Sequence, residues 1–168
     1  NDQDWIDVEN PITDDVPLSR LDSTSDTLFY QEPRFVEHVD EQAVRLMTDY
    51  ISSLVQTPYV TSVLDLCSSW TSHMAPHTVD SNLKRVAGLG MNTAELQANP
   101  SLTEWAVQDL NVRPTLPYEN DSFDVILCQL SMDYLTKPLR VCRELLRVAR
   151  PTGTIHILYS NRLFLTKA

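Results

Sequence analysis

The sequence predicts an α/β protein with an open, doubly wound, mostly parallel sheet of about five strands. Three observations carry that prediction. Short apolar runs recur at residues 62–67, 85–90, 104–109, 123–130 and 154–160. Segments with helical spacing or helix-capping residues precede the first run and separate the second from the third and the fourth from the fifth. Strands that alternate with helices pair in parallel, because each crossover carries the chain back to the same end of the sheet. A length of 168 residues suits one domain with a sizeable core.

Residues 1–27 read as an extended acidic arm. Eight of the 23 acids lie within residues 1–26 against the single Arg20, so this stretch carries −7 of the net −10. Pro11, Pro17 and the lack of periodicity argue against a helix or strand there. Such a stretch reads first as a solvated tail; the alternative is an arm that lies along a basic partner, for which Trp5, Ile6, Val8 and Leu18 speak. Nucleic acid is excluded as a partner, since phosphate binding needs clustered Lys and Arg. No apolar run approaches the roughly 20 residues that span a bilayer. The chain begins at Asn1, which fits a removed targeting segment or a longer start.

The rest, 28–168, reads as the α/β domain. An aromatic lead-in, "TLFYQEPRF", is followed by apolar positions at helical spacing from Val39 to Leu54, which predict a helix over 36–55. The strand "SVLDLC" comes next, then a polar connection over 71–81, then the strand "RVAGLG". Asn92 followed by Glu95 gives a capping-box pattern, and Pro100 ends that helix by Asn99. "EWAVQD" is the third strand, and two prolines mark "VRPTLPYENDS" as a loop. "FDVILCQL" is the clearest buried strand. "KPLRVCRELLRVARP" is an amphipathic helix with Pro138 in its first turn and Leu139, Cys142, Leu145 and Leu146 expected inward. "RPTG" is its stop, and "TIHILYS" the last strand.

In such a sheet the ligand lies beyond the carboxyl ends of the strands. Those ends are 65–70, 90–92, 109–111, 129–132 and 159–162. Cys67, Cys128 and Cys142 form no CxxC and read as free, largely buried thiols. Cys67, His73 and His77 lack a fourth neighbour for zinc, so no metal site is expected. Trp70 and Trp105 read as packing residues, and His156 as a satisfied strand residue. Asp133 and Tyr134 are weighed as base or substrate anchor, with a surface or hinge role favoured.

The motifs "VLDLCSS", "QDLN", "LPYENDSFDVILCQLSMDYLTKPLRVCRELLRVARPTG" and "SNRLFLTKA" resemble class I S-adenosylmethionine-dependent methyltransferases of the type 11 kind, a Rossmann-like fold. More narrowly, "YQEPRFVEHVD", "VLDLCSSWTSH" and "GLGMNTAELQANP" resemble a plant and algal branch with Cys-Ser-Ser-Trp in place of the glycine motif. The resemblance covers about residues 28–168. It implies S-adenosylmethionine as cofactor. Asp65 would face the methionine amino group, and Cys67 and Ser68 would form the turn around it. Met91 and Asn92 would face the ribose, Asp109 with Leu110 the adenine, and Gln129 would line cofactor and substrate. No catalytic side chain is singled out, because the sulfonium is already activated and alignment does most of the work.

The resemblance also implies a helix and two further strands after the fifth, so the domain reads as C-terminally incomplete with an exposed edge. Two functions follow. One is methylation of an unidentified small molecule. The other is an inactive, methyltransferase-like subunit of a plastid assembly, photosynthetic by the plant and algal likeness, bound through the acidic arm and the open sheet edge. The likeness and the non-Met start imply a chloroplast location, with a cytoplasmic one as the alternative.

Overall fold

A computed structural model describes residues 17–20, 22–75 and 82–160. Trp5, Ile6, Val8, His77 and the stretch 161–168 lie outside the described residues. The elements run α1 (Asp26–Phe29), α2 (Glu41–Val55), β1 (Ser62–Ser68), β2 (Arg85–Gly90), α3 (Thr93–Ala98), β3 (Glu104–Val107), β4 (Phe123–Gln129), α4 (Pro138–Val148) and β5 (Ala149–Leu158). A short 3-10 turn, Met132–Tyr134, precedes α4.

The five strands form one sheet in the order β3-β2-β1-β4-β5, every pair parallel. The chain moves outward from β1 through β2 to β3, then returns to β4 beside β1. The order therefore reverses between β1 and β4, which opens a crevice at their carboxyl ends. Alternate side chains supply two cores. Leu64, Leu66, Ala87, Leu89, Ile126 and Cys128 pack toward Val141, Leu145 and Val148 of α4. Val63, Val86, Val125 and Leu127 pack toward Met47, Ile51 and Val55 of α2. Strands buried on both faces explain why β1 and β4 read as nearly unbroken apolar runs.

Local chemistry sets the element ends. Helix α2 starts at Glu41, later than the spacing predicts, because the extended Asp40 caps it by accepting the Ala43 N–H at 2.9 Å. In α4 the buried stripe is Val141, Leu145 and Val148, spaced four and three apart. Leu146 lies one position, about 100°, past that stripe and is 69% exposed, contrary to the sequence expectation. Leu139 and Cys142 flank it, half-buried. The "RPTG" stretch is not a separate stop. Helix α4 passes directly into β5 at Ala149, and Gly153 lies inside the strand, where an added Cβ would press on the Phe123 carbonyl at 2.8 Å.

The amino ends of β1, β4 and β5 are joined by one carboxylate. Asp124 Oδ2 accepts from Thr61 N (2.8 Å) and Ser62 N (2.9 Å), and Oδ1 accepts from Arg150 at 2.7 Å. Partial burial alone would raise this carboxyl. The Thr61 N–H, the Arg150 guanidinium and the two hydroxyls outweigh it and hold it well below the usual carboxylate range. A depressed folded value stabilises the protein above the ordinary carboxyl pKa near 3.8, and that stability is lost as pH falls below it. Asp124→Ala is therefore expected to cost about 3 kcal/mol at pH 7, measured by urea unfolding. The wild type should also lose more stability than the variant between about pH 5 and 3.

Candidate functional site

A cavity of about 260 Å3 opens at the carboxyl ends of β1, β2 and β4 and just past β3. Of the residues the sequence singles out, Asp65, Cys67, Ser68, Met91, Asp109, Leu110 and Gln129 line it. Its roof is a strap, residues 26–38, that contributes Asp26, Phe29, Tyr30, Arg34, Val36 and Glu37. The sequence showed the strap only as an aromatic lead-in.

Asp65 ends the apolar half of β1 and is 1% exposed. A buried carboxylate must be hydrogen-bonded. Ser72 and Ser68 donate their hydroxyls to Oδ2 at 2.6 and 2.7 Å, and Gln129 Nε2 donates to Oδ1 at 3.0 Å. Burial pushes the Asp65 carboxyl up, and these three donors pull against it. Oδ1 keeps capacity for a further donor from the cavity.

Cys67 is the residue by which the register of β1 on β2 slips, between Leu66↔Leu89 and Ser68↔Gly90. It is a bulge residue with φ 56°, a left-handed conformation that glycine adopts without cost. Holding it in a cysteine costs on the order of 1 kcal/mol or more. Across the bulge, a Cβ on Gly90 would overlap the Ser68 carbonyl oxygen, so Gly90 is what lets the turn close on β2. The Cys67 thiol packs on Cys128, whose own thiol is pushed well up by that contact and by burial.

Asn92, expected at the ribose, does not line the cavity. It caps α3 as its position predicts: Oδ1 accepts the N–H groups of Ala94 (2.9 Å) and Glu95 (3.2 Å). Its Nδ2 donates to the carbonyls of Tyr30 and Gln31 at 2.9 and 3.1 Å. Every polar atom of that side chain is thereby engaged. Glu95 does not complete the capping box. Its carboxylate accepts the Arg34 N–H at 2.7 Å and the Ser69 hydroxyl at 2.6 Å. A buried acid and a cap thus become two anchors for the strap. A third runs from Glu37 Oε2 to His73 Nε2 at 3.1 Å, with His73 Nδ1 at 2.8 Å from Gln129 Oε1. The Gln129 amide is fixed in this sense because its Nε2 faces two acceptors, Asp65 and the Ser72 carbonyl.

At the end of β3, Asp109 Oδ1 accepts the N–H groups of Asn111 (2.9 Å) and Val112 (3.3 Å), an Asx turn. Its Oδ2 takes no partner among the described residues and borders the cavity, beside buried Leu110. Asn111 ties this loop to the strap and to the turn before α4, donating to Asp26 at 2.7 Å and accepting the Thr136 N–H at 2.7 Å. Arg20 closes an ion pair on the same Asp26 at 2.9 Å. Tyr134 lines the cavity, and burial with Asp133 nearby pushes its hydroxyl up to about 12. Trp70 also lines the cavity, while Trp105 is 42% exposed on edge strand β3. Among the described residues no group of three or more His, Cys, Asp or Glu could hold a metal ion.

Asp26 is neutralised by Arg20, and the walls otherwise carry Glu37, Asp65, Glu95 and Asp109 against Arg34, so the cavity suits a ligand with positive charge. It also offers apolar surface and an open acceptor at Asp109. That donor and acceptor set fits an adenosyl ligand bearing a sulfonium and an ammonium.

The methyltransferase domain family matches residues 62–157, more than half of the chain, and the chain belongs to that family. It is 27% identical over 125 residues to the mitochondrial 2-methoxy-6-polyprenyl-1,4-benzoquinol methylase of Caenorhabditis elegans, which covers 68% of this chain and 43% of that protein. Among solved structures, a SAM-dependent methyltransferase from Aquifex aeolicus matches with a TM-score of 0.53 at 18% identity, covering 70% of this chain and 66% of that one. An S-adenosylmethionine-dependent methyltransferase from Mesorhizobium loti matches with a TM-score of 0.52 at 18% identity, covering 68% and 54%. The chain thus spans less than half of the curated relative it matches. S-adenosylmethionine is the cofactor to which the family points.

If Glu95 holds the strap, Glu95→Ala should speed exchange of the Arg34 amide hydrogen at least roughly tenfold, the equivalent of one charge-assisted hydrogen bond. Exchange at β1 and β4 amides should stay within about twofold of the wild type over the same time course.

Proposed function

We propose that this protein is an S-adenosylmethionine-dependent methyltransferase acting on a small molecule. The observation that carries the reading is convergence. Four strand ends deliver Asp65, Cys67, Met91, Asp109, Leu110 and Gln129 to one acid-walled cavity. In the proposed complex Asp65 Oδ1 takes the ligand's ammonium, and the open oxygen of Asp109 takes the adenine amino group. Met91 and Leu110 supply apolar contact to the ribose and adenine. When bound, the cofactor supplies a methyl group on a cationic sulfur, which keeps the bonding pair as the acceptor's lone pair takes the carbon. The protein's part is alignment and exclusion of water by the strap. A cavity of about 260 Å3 supports a small acceptor. The plant and algal ancestry and the chloroplast location read from the sequence belong to this proposal, and a fluorescent fusion would test the location.

A second reading, an inactive subunit of a plastid assembly, is favoured by one observation. Asn92, at the ribose position, is fully engaged by its cap and by the strap.

Calorimetric titration with S-adenosylmethionine and S-adenosylhomocysteine separates the two. The decisive variant is Asp109→Asn. Its Oδ1 keeps the Asx turn, so the new amide takes the place of the open oxygen and meets the adenine amino group donor to donor. The methyltransferase reading expects binding by the wild type, at least roughly tenfold weaker in Asp109→Asn with unfolding unchanged. A folded wild type that binds neither ligand at millimolar concentration supports the subunit reading.

A further inference from the structure

We infer that the strap forms the acceptor half of the site and that the Tyr30 hydroxyl holds the acceptor, an uncharged planar ring bearing a hydroxyl group. This rests on the methyltransferase reading above and goes on to name its substrate class.

Three observations meet at Tyr30. First, the polar side chains around the cavity are otherwise engaged. Asp65, Gln129, Glu95 and His73 hold one another or the strap. Beyond the Asp109 oxygen assigned above to the adenine, the Tyr30 hydroxyl stands out. It has no hydrogen-bond partner among the described residues, and it borders the cavity. Tyr134, Asp26, Cys67 and Arg34 line the same cavity and act on it electrostatically. Burial, with Tyr134 and Asp26 nearby, raises its phenol far above the ordinary value. It therefore stays protonated and donates.

Second, Tyr30 is built into place. It is the C-cap of α1, its N–H bonding the Asp26 carbonyl at 2.9 Å. Asn92 grips its carbonyl at 2.9 Å and that of the next residue at 3.1 Å. The Phe29 ring meets its ring edge-on at 4.9 Å between centroids. A loose surface tyrosine has no such fixings. The side chain that the sequence assigns to the ribose is thus a positioning residue for Tyr30.

Third, the walls around it select a class. Phe29, Trp70 and Tyr134 join Tyr30 on the cavity, and flat apolar walls take flat apolar rings. With Asp26 neutralised by Arg20, the carboxylates of Glu37, Asp65, Glu95 and Asp109 still outnumber Arg34 and disfavour an anionic acceptor. A donor held ready for an oxygen lone pair then points to a hydroxyl on a neutral ring.

The test uses catechol and benzoate as probes, titrated into protein saturated with S-adenosylhomocysteine, in the wild type, Tyr30→Phe and Asn92→Asp. Asn92→Asp keeps the oxygen that caps α3 but turns the strap-gripping donor into an acceptor. The inference expects catechol to bind the wild type at least roughly tenfold more tightly than benzoate does. It expects catechol affinity to fall roughly tenfold in Tyr30→Phe and also to fall in Asn92→Asp, with S-adenosylhomocysteine affinity unchanged in Tyr30→Phe. Catechol binding as tight in Tyr30→Phe as in the wild type overturns the role of Tyr30. Benzoate binding as tight as catechol, or no catechol binding by a protein that does bind S-adenosylhomocysteine, overturns the substrate class while leaving the methyltransferase reading standing. Failure of the wild type to bind S-adenosylhomocysteine overturns both.

Discussion

A carboxylate shut inside the end of the central strand dictates much of what surrounds it. Asp65 is 1% exposed, and a buried charge without donors is intolerable. The chain answers with hydroxyls and an amide: Ser68 from the end of β1, Ser72 from the segment after it, and Gln129 from the end of β4. A glycine turn would present only backbone N–H groups there. The Cys-Ser-Ser-Trp stretch brings side-chain donors instead: Ser68 bonds Asp65 and Ser69 bonds Glu95. The site is built differently, with its cavity open.

Those donors need partners of their own, and the network spreads outward from them. Ser72 receives Asn99 at 2.9 Å, Ser69 donates to Glu95, and Gln129 meets His73. Glu95 and His73 in turn hold Arg34 and Glu37. Satisfying one carboxylate in the sheet therefore fixes a strap that lies well before it in the chain, with anchors at Arg34 and Glu37. Hydrogen-bonding capacity is finite, and this has a consequence for Asn92. A side chain that caps α3 and grips two strap carbonyls has nothing left for a sugar hydroxyl.

The same turn stores strain. Cys67 sits at the bulge with φ 56°, and His73, a few residues on, has φ 49°. Such conformations persist only where the surroundings over-determine them. Here Gly90 admits the turn against β2, and Cys128 packs on the Cys67 thiol. Rigidity gained this way suits a site whose task is alignment.

Much of the fold was legible because it depends on local patterns. Apolar runs marked all five strands, Asn92 marked a helix start, and Pro138 another. The helix over 36–55 was read too long because periodicity extends past the point where Asp40 caps the backbone. Leu146 was placed inward because several apolar residues in α4 permit more than one stripe, and only packing against the sheet selects Val141, Leu145 and Val148. In the site, Asp65, Asp109 and Gln129 could be placed at strand ends from strand order. Tyr30, Arg34, Glu37 and Glu95 could not be placed there. Sequence by itself determined which residues end the strands and caps, since those follow from near neighbours along the chain. Only the tertiary structure decided which hydrogen bonds each polar side chain makes. That choice depends on which donors and acceptors distant segments bring within about 3 Å, and no one-dimensional pattern records it.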